Sequence, residues 1–281
     1  MSDVVITTNG FRDTWMGIEY GAWFAKTMKL KVTLLGVTEH LSPAAIDDHH
    51  PLETVFERAV SLFKEMDLEY SLEVQNGSAE EIIPQRANRS DSITVLSPLG
   101  RTQIRRWLVG RTFRQFMESI KNPILYVPEI RLPLKKLLIC VGGLGYEVDA
   151  EHLGLQLAMQ CNAEVTLLHV VPPVDLDYPT ARVANEQWRN LIHTDTVLGR
   201  NLRNALEAVQ NAGVTAKLEI RQGHIVEEIS AVMKAESYDL LCMGSAYGGG
   251  NTLRQLYAPN VTAEIAEAAH CAVLTARHRA M

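Results

Sequence analysis

The chain has 281 residues, too many for one core of ordinary size and enough for two domains of roughly 100–150 residues each. Hydrophobic residues make up 47 % and charged residues 21 %, which excludes a disordered chain, and apolar runs such as Leu137 to Val141 fall far short of the ~20 residues of a bilayer span. The net charge of −6 excludes a general nucleic-acid binder, whose sequence-independent affinity needs an excess of Lys and Arg.

In chain order, the first predicted strand is Val4–Thr8, ending at Asn9-Gly10, and the second is Lys31–Val37. A polar loop with Asp47-Asp48-His49-His50 follows. Its residue types suit a metal, but adjacent residues of one loop rarely converge on one ion, and a solvated loop is expected. Three more short aliphatic or β-branched runs, Glu69–Val74, Ser92–Leu96 and Ile124–Val127, read as strands bounded by turn residues.

The informative connection is the one after the fourth strand. It runs Ser97-Pro98-Leu99-Gly100-Arg101-Thr102 to Gly110-Arg111-Thr112, with nine residues between the glycines and a helix predicted to start at the second. Glycine lets backbone approach a phosphate, and the free N–H groups and dipole of a helix start favour an anion. Arg101, Arg105, Arg106, Arg111 and Arg114 crowd the same stretch. Arg101 and Arg111, beside the glycines, are the candidates for bidentate phosphate contacts, against the alternative of a solvated basic face.

Pro128 and Pro133 bracket a linker at Glu129 to Pro133, after which the pattern starts again. Lys31-Val32-Thr33-Leu34-Leu35 matches Glu164-Val165-Thr166-Leu167-Leu168 at an offset of 133, and Gln75-Asn76-Gly77-Ser78 matches Arg221-Gln222-Gly223-His224 at 146. The growth in offset places about 13 extra residues around Pro172 to Asn190. The second set of strands is Lys136–Val141, Glu164–Val170, Ala216–Ile220, Asp239–Met243 and Ala272–Ala276. Helical spacing separates them, as in Leu198, Leu202, Leu206 and Val209. Each copy is therefore expected to be a doubly wound α/β domain with a five-stranded parallel sheet, residues 1–130 and 134–281, with right-handed crossovers and ligands beyond the strands' carboxyl ends.

All four cysteines, Cys140, Cys161, Cys242 and Cys271, fall in the second copy without metal or redox spacing and are expected to be small buried hydrophobes. His169 is expected to be a satisfied strand-end histidine, His224 a turn or cap residue, and the four tryptophans packing groups rather than a base-stacking platform.

Strand order and the glycine loop resemble the universal stress protein family over nearly the whole chain. That resemblance implies a Rossmann-like, adenine nucleotide alpha hydrolase-like fold and, after the fourth strand, a Gly-two-residues-Gly-nine-residues-Gly-Ser/Thr motif that holds ATP phosphates in nucleotide-binding members. Ser97 stands for the first glycine, Gly100 and Gly110 for the others, and Arg111-Thr112 for the closing hydroxyl residue; Asn9 replaces the family's acidic residue, with Val37 at the end of the second strand. The second copy has Tyr247 at the second glycine and Tyr257-Ala258 at the closing pair, and is expected not to hold ATP.

The resemblance implies ATP or another adenine nucleotide in the first copy, with no metal beyond a nucleotide-bound magnesium. It also implies a cytoplasmic, non-catalytic stress-response role, pairing of the copies through their last strands, and a homodimer. No nucleic-acid or membrane partner is expected, nor a set of residues for ATP hydrolysis. The alternative is an ATP-independent structural or adaptor protein whose cleft takes another small metabolite or anion.

Overall fold

The computed structural model describes residues 3–38, 52–98, 109–142, 148–172, 187–245 and 258–277. The chain divides into two compact units, Met1–Ile130 and Arg131–Met281.

Unit 1 runs β1 (Asp3–Thr8), α1 (Trp15–Met28), β2 (Lys31–Thr38), α2 (Leu52–Glu65), β3 (Tyr70–Asn76), α3 (Ala79–Ala87), β4 (Ser92–Leu96), α4 (Val109–Ser119) and β5 (Ile124–Tyr126). Its strands are all parallel in the order β3-β2-β1-β4-β5. Helices α1 and α2 pack together on one face, α3 and α4 on the other. Covered on both sides, β1 and β2 read as continuous apolar runs, and Val4, Val5, Ile6, Leu34 and Leu35 are fully buried. The outer strand β3 has no buried residue, its Leu72 and Val74 are exposed, and its Glu73 meets Arg86 of α3 at 2.8 Å.

Unit 2 repeats the plan with β6 (Lys136–Cys140), α5 (Val148–Cys161), β7 (Glu164–Val171), α6 (Val197–Asn211), β8 (Ala216–Gln222), α7 (Ile225–Ala235), β9 (Leu240–Ser245), α8 (Ala258–Ala268) and β10 (Ala272–Arg277). Its parallel order is β8-β7-β6-β9-β10. Part of the extra length forms a short 3-10 helix, Trp188–His193, that packs beside β8 with Leu191 buried.

The repeat extends to the helix ends. Lys29 closes α1 with φ of 55° and Asn162 closes α5 with φ of 51°, the left-handed turn that satisfies the last carbonyls of a helix. Both helices also lay a glycine on the sheet. A Cβ on Gly21 would lie 2.8 Å from Ile6, and one on Gly154 would lie 2.9 Å from Cys242 and 3.0 Å from Ile139.

The observed strand ends lie within two residues of the sequence expectation, and Ser92–Leu96 matches it at both ends. The fourth strand of unit 2 starts at Leu240, and Asp239 just before it donates its N–H to the Lys136 carbonyl at 2.9 Å and accepts the Lys135 and Lys136 amides on its carboxylate at 2.8 and 3.0 Å. Cys242 and Cys271 are buried as expected, whereas Cys140 and Cys161 are half-buried. Cys161 is the last residue of α5, where the helix leaves the sheet. Among the described residues no helix is long and apolar enough to cross a membrane.

Candidate functional site

Strand β1 lies between β2 and β4, so the chain leaves β1 toward one edge of the sheet and returns from β3 to pass on its other side. The crevice beyond the carboxyl ends of β1 and β4 is the place where winding reverses, and helices that follow parallel strands point their amino ends there. In β1–β2 register Thr8 faces Gly36, which sets Asn9 next to Val37. Ser97 follows β4 directly. All three are buried, with 3 %, 1 % and 4 % of their surface exposed.

A chain of short bonds fixes the β1–α1 turn. Gly10, with φ of 85°, donates its N–H to Thr8 Oγ1 at 3.2 Å. Thr14 Oγ1 donates to the Phe11 carbonyl at 2.6 Å, which spends its only proton, so Thr8 is the donor in the 2.7 Å bond between the two hydroxyls. Asn9 Oδ1 accepts from the Phe11 N–H at 3.4 Å. The turn is thus rigid and turns its hydroxyls on itself.

Ser97 points its side chain at α1. Its Oγ donates to the Thr14 carbonyl at 3.4 Å, and a Cβ on Gly17 would lie 2.8 Å from that oxygen and 3.1 Å from the Ser97 Cβ. Helix α4, on the opposite face, starts at Val109 and carries Gly110, Arg111 and Thr112 in its first turn. It is anchored by Phe113, whose ring lies 4.5 Å from that of Tyr126, while Arg114 is exposed. Asn9, Val37, Ser97 and the start of α4 therefore share one edge of the sheet. Gly100 and Arg101 lie outside the described residues, as do Arg105, Arg106 and Asp47 to His50. Among the described residues no group of His, Cys, Asp and Glu could hold a metal.

The corresponding edge of unit 2 is built from different residues. His169 stands where unit 1 has Gly36, is buried, and bonds through Nδ1 to the Val141 carbonyl at 2.7 Å, which is the satisfied role expected of it. His224 precedes α7 as its cap residue and accepts the Glu228 N–H on its carbonyl, without a side-chain cap bond. Cys140 takes the place of Thr7, and burial pushes its thiol up to about 12, so it stays protonated.

Helix α8 fixes the register of the loop end. Buried Phe113, Phe116, Met117 and Ile120 correspond to buried Thr262, Ile265, Ala266 and Ala269, an offset of 149. Pro259 thus takes the place of Gly110, and Asn260 that of Arg111. The pairing of Tyr257-Ala258 with the closing motif is corrected by two residues, because the loop of unit 2 is longer. Tyr247 and Tyr257 themselves lie outside the described residues.

Sequence reasoning missed Thr8, Thr14 and Gly17. The Gly17-x-x-x-Gly21 spacing on α1 was the available signal, marking a helix face that approaches the sheet closely.

The model of the universal stress protein family matches residues 133–277, just over half of the chain. A universal stress protein from Archaeoglobus fulgidus DSM 4304 is similar in structure at 13 % identity and a TM-score of 0.72, covering 98 % of this chain and 96 % of that one. A functionally unknown protein from Pseudomonas aeruginosa PAO1 is similar at 12 % identity and a TM-score of 0.66, covering 98 % and 92 %. A universal stress protein in complex with cAMP is 20 % identical with a TM-score of 0.40, covering 52 % of this chain and 98 % of its own. No curated protein matches the sequence.

Proposed function

The chain belongs to the universal stress protein family, and from that premise we propose that unit 1 binds an adenine nucleotide, ATP first among them, at the carboxyl edge of its sheet. Unit 2 keeps the fold without the phosphate site. The observation that carries the reading is the contrast between two helix starts. The first turn of α4 holds Gly110, Arg111 and Thr112, each with a backbone N–H, where α8 has Pro259, which has none. Unpaired amides and the dipole of a helix start favour a phosphoryl group, and a proline removes one donor.

The turn of Ser97 toward α1 supports the same reading, since its side chain then stays on the face opposite α4. Asn9 and Val37 would flank the nucleoside, with Gly100, Arg101 and Arg111 at the phosphates and any magnesium carried by the nucleotide itself. The role is binding without turnover in a cytosolic stress response, the bound state altering association with a protein partner. Pairing of the two copies and of two chains belongs to the same proposal, and sedimentation tests the latter.

A second reading rests on Asn9, which has no charge and gives its carbonyl oxygen to the Phe11 amide. In that reading the chain is an ATP-independent adaptor whose cleft takes another small anion or metabolite. Isothermal titration with ATP and ADP separates the two. The nucleotide reading expects saturable heat that Gly110→Asp abolishes; an unmutated protein without saturable heat overturns it and leaves the adaptor.

A further inference from the structure

We propose that Gly17 is a positioning residue for the loop that follows β4, with Ser97 as its counterpart, an inference that rests on the nucleotide reading and adds a residue outside the glycine loop. Ser97 follows β4 directly, so a shift of its backbone is passed on to the residues that the nucleotide reading puts at the phosphates. Its side chain is buried with 4 % exposed, and it fits because α1 presents bare backbone at Gly17. A methyl group there would lie 2.8 Å from Ser97 Oγ. Rotating the hydroxyl away would not be enough, since the Ser97 Cβ, which cannot rotate, would still be 3.1 Å off. Either α1 or the start of the loop has to shift, and α1 is pinned by Gly21 against Ile6 and by the Thr8–Thr14 bond. Ser97, at the end of β4, is the part that gives way.

Unit 2 shows the reciprocal solution. Residue 17 corresponds to Ala150, which is 1 % exposed, and residue 97 to Gly244. The β-carbon missing from one side of the seam is present on the other in both units. A small group on α1 with a larger one on β4, or the reverse, keeps the separation of helix and strand end constant, and two large groups would not. Gly17 thus preserves in unit 1, despite Ser97, the loop start that a glycine provides in unit 2.

The test is a set of three variants, Gly17→Ala, Ser97→Gly and the double substitution, titrated with ATP and magnesium and followed in parallel by thermal unfolding. The expected result is an affinity about tenfold weaker for Gly17→Ala, on the order of 1.4 kcal/mol, and a return to within about twofold of the unmutated protein when Ser97→Gly is added. Ile83→Val, in the buried interior of α3, is the control for stability alone and should lower the melting temperature without changing ATP affinity. Gly17→Ala with unchanged affinity, or a double variant no better than the single one, overturns the role of Gly17 while the nucleotide reading stands. An unmutated chain that does not bind ATP overturns both.

Discussion

In unit 1 the ring of Phe56 rests on Gly36, where a Cβ would lie 2.8 Å from the ring, and at the same two places unit 2 has Leu202 and His169. The same exchange separates Gly17 and Ser97 from Ala150 and Gly244. Gly21 and Gly154 are alike in both units, on helices facing Ile6 and Ile139. The copies have therefore diverged pairwise, each enlargement on a strand matched by a reduction on the helix above it. Close-packed interiors leave no other route, because added volume without removal forces strain. Both exchanges lie toward the carboxyl ends of the strands, and the fold is the same on either side of them.

The largest expected effect comes from breaking one pair. Gly36→His alone should destabilise unit 1 by about 3 kcal/mol, since the new side chain meets Phe56 in a buried seam. Phe56→Leu, which alone leaves a void, should recover at least half of that loss in the same chain. Denaturant unfolding of the single and double variants reads both quantities. Additive losses would mean that the two units reached their present residues independently of this contact.

A smaller effect, about 2 kcal/mol, is expected from Arg86→Met. The guanidinium is 12 % exposed and donates to Glu73 at 2.8 Å and Ser90 at 3.2 Å, with Asp3 at 3.9 Å, and the Glu73 bond holds its charged form above the ordinary arginine range. Unit 2 has Val232 at this position, buried, and its equivalent of Glu73, Glu219, pairs with Arg221 instead. Removing Arg86 takes the charged donor from Glu73 in unit 1, whereas unit 2 has apolar Val232 at the same place. Arg86→Met combined with Glu73→Gln should cost less than the sum of the two, which double-mutant unfolding measures.

Most of this architecture was legible in the chain. The copies share the run Val-Thr-Leu-Leu at Val32 and Val165, and short β-branched runs between helical spacings admit few other folds. Strand ends were less legible, because residues such as Asp239 share in the bonding of the next strand without belonging to its regular run. The edge of the site was half legible. Asn9, Val37 and Ser97 could be found from their place after apolar runs. Gly17 shows in its spacing to Gly21, but its pairing with Ser97, 80 residues away, could not be found without the register of α1 on β4. Nor could Pro259, whose equivalence to Gly110 appears only when the buried faces of α4 and α8 are aligned.

The smallest effect concerns Glu236, which follows α7 in unit 2 and meets Lys217 at 2.7 Å and Lys136 at 3.9 Å. The Lys217 bond holds its pKa below the usual 4.5, and the same bond holds that of Lys217 above 10.5. A carboxyl group with a lowered value contributes above its unfolded titration point and loses that contribution as pH falls through the folded one. The pair is therefore whole at neutral pH and fades below about pH 4. With side chains 54 % and 38 % exposed, water screens most of the attraction, and the contribution should stay within about 0.5 kcal/mol. Glu236→Gln should lower stability by that amount at neutral pH and by progressively less as the solution is acidified through the lowered titration point, read from denaturant midpoints. A loss that did not shrink in acid would show that residue 236 acts by accepting the Tyr238 hydroxyl, at 3.4 Å, and not through its charge.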